Sequence, residues 1–259
     1  MDYLNQVLTG DCLKLIPQLP PESVDLVVTS VPYNTGHPYD VYKDDKKHVF
    51  YIRMLKRIFK NLYPILKKGG RVAINVGDQL NGKIHTHVDI AEFMVHNLGY
   101  LQMATIIWNK ENTSNRTAWG SFQSPKNPSL PTPFEYIMIF AKESYNLQND
   151  GKTDLTKDEF VDWSLSMWTF KRKDYKESTY LIHNKLHPAP FPEELPKRLI
   201  KMFSWCGATI LDPFSGSGTT LLAAKRLGRN FIGMELSEKY AEYSRTKLKN
   251  MVIPYTLGN

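Results

Sequence analysis

The segment Ala208-Thr209-Ile210-Leu211-Asp212-Pro213-Phe214-Ser215-Gly216-Ser217-Gly218-Thr219-Thr220 constrains this chain more than any other. A short apolar run from Thr209 to Leu211 stops at an acid and a proline. Two glycines around a serine then lead into Leu221-Leu222-Ala223-Ala224-Lys225-Arg226-Leu227, which has the composition and apolar spacing of a helix. Strand, glycine turn and helix form the local build of a nucleotide-binding α/β crossover, although a plain tight turn is the alternative. The turn predicts positive φ at Gly216 and Gly218, close approach of a ligand to the backbone, and helix amides aimed at that ligand. No lysine follows Gly218, which disfavours a phosphate-cradling loop, and Leu221 stands where a dinucleotide fingerprint has its third glycine. About twenty residues further on, Asn230-Phe231-Ile232-Gly233-Met234-Glu235 reads as a second strand whose terminal acid is placed to accept hydrogen bonds from ribose hydroxyls. A nucleoside ligand without a phosphate fits these marks best.

Near the N-terminus, Val24-Asp25-Leu26-Val27-Val28 is a buried-type strand that leads directly into Thr29-Ser30-Val31-Pro32-Tyr33. DPFSGSGTT followed by FIGMELSEKY, together with this SVPY tetrapeptide, resembles the amino-group DNA methyltransferases that bind S-adenosylmethionine. A third stretch, His187-Pro188-Ala189-Pro190-Phe191-Pro192, resembles the segment preceding the cofactor loop in the permuted (beta-type) members of that family, which methylate cytosine N4 or adenine N6.

The resemblance implies a Rossmann-like α/β methyltransferase fold, mostly parallel with an antiparallel edge hairpin. The catalytic strand comes first and the cofactor half last, in a single domain over residues 1–259. Its cofactor would be S-adenosyl-L-methionine, leaving S-adenosyl-L-homocysteine as product. The implied cofactor residues are Asp11 and Cys12 near the adenine, His187 and Pro188 at the methionine end, Asp212, Pro213, Phe214, Ser215, Gly216, Gly218, Thr219 and Thr220 in the loop, and Glu235 with Leu236 beyond it. The implied catalytic residues are Ser30, Val31, Pro32 and Tyr33: the ring stacks on a flipped base, while the hydroxyl and a backbone carbonyl accept from its exocyclic amine. Val31 departs from the family's usual proline and leaves the preceding carbonyl less rigidly aimed. Ser30 and the HPAPFP stretch favour cytosine N4 over adenine N6, since the adenine-modifying relatives more often open the tetrapeptide with aspartate.

The net charge of +7 and a pI near 9.2 favour a polyanionic partner, here double-stranded DNA. From Phe50 an amphipathic helix runs to about Ile65, with Ile52, Leu55, Phe59 and Leu62 as its core stripe and Arg53, Lys56, Arg57 and Lys60 on another face. No acid occurs between Lys46 and Gly77 while nine Lys or Arg do, so this face is a candidate phosphate track as well as a candidate solvated surface. Residues 109–134, with Arg116, and 142–186, with Lys171, Arg172 and Lys173, are candidate target-recognition insertions, because such side chains address base edges. Asn34 to His48 reads as a mobile loop able to close over DNA.

Two cysteines without metal spacing indicate neither a disulfide framework nor a zinc site, and no metal is expected. With no apolar run of membrane-spanning length, the expectation is a cytoplasmic protein without membrane contact. A cognate restriction endonuclease and a homodimer are possible partners. A non-catalytic DNA-binding module would explain the charge but not two nucleoside-type strand ends, and an RNA or small-molecule methyltransferase usually lacks the permuted order.

Overall fold

The computed structural model describes residues 3–80, 82–111, 120–171 and 191–251. Their strands form one sheet, built from β1 (Gln6–Thr9), β2 (Val24–Ser30), β3 (Leu66–Val76), β4 (Tyr100–Asn109), β5 (Phe134–Lys142), β6 (Met167–Thr169), β7 (Thr209–Asp212) and β8 (Asn230–Glu235). The order across the sheet is β1-β8-β7-β2-β3-β5-β4-β6. All neighbouring pairs are parallel except β3–β5 and β4–β5, so β5 alone runs against the rest. The expected hairpin is therefore β4–β5, and the three-residue β6 covers its outer edge.

Both faces are buried, which is why the strands read as continuous apolar runs rather than alternating ones. Val27, Ile74, Met138 and Leu211 face one core layer with α1 (Cys12–Leu15), α2 (His48–Ile65) and α3 (Thr86–Glu92), which ends in a π turn. Leu26, Val28, Ile137 and Ile210 face the other, with α4 (Lys157–Trp163), α5 (Glu194–Phe203), α6 (Thr219–Arg226) and α7 (Glu238–Lys249). Adjacent strand residues thus serve opposite layers, as the two-residue period requires.

The strand after α2 starts at Leu66, directly at the end of the helix. Lys67 to Gly70 bulge out between the pairs Val24↔Leu66 and Leu26↔Arg71, with Gly69 at φ +74°. A Cβ on Gly69 would stand 2.1 Å from the Asn146 carbonyl oxygen, so only glycine lets the two chains pass. Trp163 and Trp168, in the stretch read as a recognition insertion, are core residues: α4 and β6 belong to the scaffold.

The permuted order matters at one junction. β2, early in the chain, pairs with β7, late in it, through Leu26↔Ile210 and Val27↔Leu211. The carboxyl ends of β2 and β7 are therefore neighbours, where ligands gather in open α/β sheets.

Candidate active site at the strand ends

β7 ends in Asp212, which is fully buried. Its Oδ1 accepts from the Thr29 hydroxyl at 2.7 Å and from Phe214 N at 3.1 Å, while Oδ2 is buried with only the neighbouring Thr220 hydroxyl to meet it. Burial pushes this carboxyl up to about 6 against the opposing hydrogen bonds from the Thr29 and Thr220 hydroxyls and the Phe214 amide. Gly216 and Gly218 both take positive φ, +50° and +79°. At Gly218 a Cβ would stand 2.1 Å from Ser244 Oγ, so glycine also admits α7 against the turn.

Glu235, at the tip of β8, holds that turn to the sheet. Its Oε2 accepts from Gly216 N at 2.8 Å and its Oε1 from Ser237 N at 2.9 Å. Burial pushes its carboxyl up, with these backbone donors opposing. Each oxygen keeps a further lone pair, so bracing the turn and accepting from a diol are compatible. Beside it, Asp11 caps α1 by accepting from Leu13 N at 2.9 Å. Burial, reinforced by the charge of Asp11, pushes the Cys12 thiol up to about 12, which keeps it an inert thiol.

Across the junction, Ser30 and Tyr33 enter a network of four segments. The Ser30 hydroxyl donates to Tyr33 Oη at 3.2 Å, and Tyr33 Oη donates to Glu135 Oε2 at 2.6 Å. Asn75 Nδ2 donates to Tyr33 Oη and to Glu135 Oε2, each at 2.7 Å, and Lys110 Nζ pairs with Glu135 Oε1 at 2.8 Å. Glu135 sits at the start of the reversed strand β5, level with the ends of β2 and β3, and that reversal brings its carboxylate here. Burial alone would raise this carboxyl. The charge of Lys110 and the hydrogen bonds from Lys110, Tyr33 and Asn75 hold it below the ordinary value, so it is ionised. Val31 turns into the core, and the Pro32 carbonyl accepts from the buried Tyr51 hydroxyl at 2.6 Å.

The loop read as mobile is organised around one carboxylate. Asp44, 2% exposed, accepts from the backbone N–H groups of Asn34, Thr35 and His37, and Asp40 Oδ2 accepts from the Ser237 hydroxyl at 2.6 Å. The loop therefore docks on the cofactor side of the junction.

The structure thus brings Asp11, Cys12, the turn after β7 and Glu235 together at neighbouring strand ends, with Ser30 to Tyr33 beside them; Leu236 is exposed at their margin. It spreads the basic row of α2. That helix starts at the rim and runs back to the start of β3, so Lys60 lies ~10 Å further from the site than Arg53. Lys56 is tied to Asn97 Oδ1 at 2.6 Å. Lys171 directly follows the edge strand region. Arg116, Arg172, Lys173, His187 and Pro188 lie outside the described residues.

Sequence reasoning missed Asn75, Lys110 and Glu135. The available signal was a polar residue inside apolar strands, Asn75 within Val72–Val76 and Glu135 opening β5. It also missed Asp78, His85 and His87, whose ligand atoms lie within 4.8 Å of one another. There Asp78 accepts from His87 Nδ1 at 2.8 Å, His85 Nδ1 at 3.3 Å and His87 N at 3.2 Å, which explains the cluster as a satisfied cap on α3.

Comparison with known proteins follows the same outline. Residues 24–246 match the DNA methylase family (N6_N4_Mtase). Type II methyltransferase M.MjaI of Methanocaldococcus jannaschii is 31% identical, across 90% of this chain and 88% of that protein. M.MjaVI of the same organism, also a type II methyltransferase, is 40% identical across 61% and 82%. Among solved structures, TTHA0409 of Thermus thermophilus, complexed with S-adenosyl-L-methionine, is similar with a TM-score of 0.71 at 30% identity, covering 94% of each chain.

Proposed function

The chain belongs to the DNA methylase family, and on that premise we propose that it moves the methyl group of S-adenosyl-L-methionine to the exocyclic N4 amine of a cytosine turned out of duplex DNA. The observation that carries the base is Ser30 at the head of the tetrapeptide, where the adenine-modifying relatives more often have aspartate: its proton points to Tyr33, one lone pair meets Asn75 Nδ2 at 3.4 Å, and the other is left for an amine.

The cofactor side fits the group that TTHA0409 binds. Asp212 Oδ2, buried with only the neighbouring Thr220 hydroxyl to meet it, suits the ammonium of the methionine end. Glu235 suits the ribose hydroxyls, and Asp11, whose Oδ1 caps α1, has a second oxygen for the adenine amine. Bound there, S-adenosyl-L-methionine supplies an electrophilic methyl on a sulfonium.

The chain's own residues then address the amine, whose lone pair is delocalised into the ring and is a poor nucleophile. Ser30 Oγ and a nearby backbone carbonyl accept its two protons, drawing the nitrogen toward sp³ and aiming its lone pair. Tyr33 has its hydroxyl committed to Glu135, Asn75 and Ser30, so its ring face is what it offers a base. No cysteine acts as nucleophile: Cys12 is a buried thiol, and Cys206, just before β7, lies at the opposite end of the strands. Arg53 at the rim is the α2 cation placed to meet backbone phosphate. The type II relatives support a role beside a cognate restriction endonuclease.

Digesting DNA methylated by the purified protein to nucleosides and weighing them tests the proposal. N4-methyldeoxycytidine supports it; N6-methyldeoxyadenosine alone overturns the choice of base.

A further inference from the structure

We propose that Glu135 and Lys110 form a positioning pair that sets the direction of the hydroxyl chain Ser30–Tyr33, so that Ser30 meets the substrate amine as an acceptor and not as a donor. The inference rests on the reading of Ser30 given above.

The argument is one of donors and acceptors. A serine hydroxyl can offer either a proton or lone pairs, and nothing in Ser30 itself decides which. Tyr33 Oη has one proton, and the ionised carboxylate of Glu135 can only accept, so that proton is committed at 2.6 Å. Asn75 Nδ2 occupies one Tyr33 lone pair at 2.7 Å and its other proton goes to Glu135 at 2.7 Å; its contact with Ser30 Oγ is longer, 3.4 Å, and approaches that hydroxyl as a donor, leaving the Ser30 proton to Tyr33. The lone pair left on Tyr33 takes the Ser30 proton at 3.2 Å. Every proton in the chain thus runs away from the substrate side toward Glu135. Lys110 fixes this direction because its ammonium can only donate, which holds the other carboxylate oxygen at 2.8 Å. Both groups are nearly buried, with side-chain exposures of 12% and 6%, so water does not substitute for either.

An amide at position 135 makes the idea testable. With Lys110 present, the oxygen of Glu135→Gln must face the ammonium, and its NH2 group then faces Tyr33 Oη. Tyr33 becomes the acceptor there and its proton turns to Ser30, which reverses the chain. Removing the ammonium as well, in Glu135→Gln/Lys110→Met, frees the amide to turn its oxygen back to Tyr33.

We expect Glu135→Gln to lower kcat about 30-fold or more, with KM for DNA and the calorimetric Kd for S-adenosyl-L-methionine held within about threefold. Tyr33→Phe, which keeps the ring and cuts the chain, should show the same split between kcat and KM. The double variant Glu135→Gln/Lys110→Met should recover about tenfold over Glu135→Gln alone. A merely structural role predicts the reverse, since a second lesion in a buried network adds to the first. The proposal is overturned if Tyr33→Phe or Glu135→Gln turns over at the wild-type rate, or if the double variant is slower than Glu135→Gln. Should Glu135→Gln not fold, as read by its melting curve, Tyr33→Phe decides by itself. Methylation by the wild-type protein is scored separately, so failure of the underlying reading shows there and not in the variant ratios.

Discussion

The cofactor side and the substrate side of this site are one strand apart and are built by opposite means. On the cofactor side the bonds that shape the turn run from backbone N–H groups to carboxylates, across 2 to 19 residues. On the substrate side the bonds join side chains from four separate segments, and the one from Tyr33 to Glu135 spans 102 residues. A turn whose backbone donors are gathered by two carboxylates depends on few side chains. A side-chain network holds its geometry only while every member is present. The two sides meet at Thr29, whose hydroxyl reaches Asp212.

Chemistry should separate from binding most sharply on the substrate side. Ser30→Ala and Tyr33→Ala are expected to lower single-turnover methylation about 10²–10³-fold, ~2.7–4 kcal/mol, while cofactor affinity by calorimetry stays at the wild-type value. Near wild-type methylation by either variant would break the comparison outright.

Asp212 gives the cofactor side a pH signature. Its ordinary value is 3.8 and burial raises it to about 6. A raised acid stabilises the folded state fully below the unfolded value, and that contribution is lost as pH rises through the folded value. The buried carboxylate therefore costs about 3 kcal/mol at pH 7 relative to acid conditions. Denaturation of the wild type against Asp212→Asn should show their difference shrinking as pH falls from 7 toward 4, and wild-type cofactor affinity should fall below pH 6. Identical pH profiles for the two proteins would remove the buried-charge account.

Direct lesions on the same side come next in size. Asp212→Ala and Glu235→Ala each delete a charged acceptor, and Gly216→Val strains a residue held at φ +50°. Each should weaken S-adenosyl-L-methionine by ~1.5–3 kcal/mol, roughly ten- to a hundredfold, in proteins that still fold. Unchanged affinity in all three sinks the pocket assignment.

The smallest effect tests the seam. Thr29→Val keeps the shape and removes one buried hydrogen bond to Asp212, for ~1 kcal/mol of stability and a comparable loss of cofactor affinity. If stability falls and affinity does not, Thr29 is packing and the two sides are independent.

Particular residues show how far the sequence could be read. The turn after β7 was legible because its signals, a β-branched run, Pro213 and two glycines, act on the backbone within a few residues of themselves. Ser30 to Tyr33 was legible as a strand end for the same reason. At Gly218 the packed structure adds a reason for glycine that the sequence does not carry: the Ser244 hydroxyl stands where a Cβ would be. The loop from Asn34 to His48 read as mobile because its composition is polar, whereas Asp44 gathers three backbone donors once the chain has turned back on itself.

What the sequence by itself determined is the set of local units: apolar runs that must be strands in a two-faced sheet, the glycine turn, the amphipathic helices and their order along the chain. What only the tertiary structure decided is which distant strand ends become neighbours. The pairing of β2 with β7 sets Thr29 against Asp212, and the reversal of β5 carries Glu135 to Tyr33 and Lys110. Local units follow from torsional preference and hydrophobic period, which act over a few residues. Their partners follow from burying both faces of one sheet, and that condition is satisfied only by the chain as a whole.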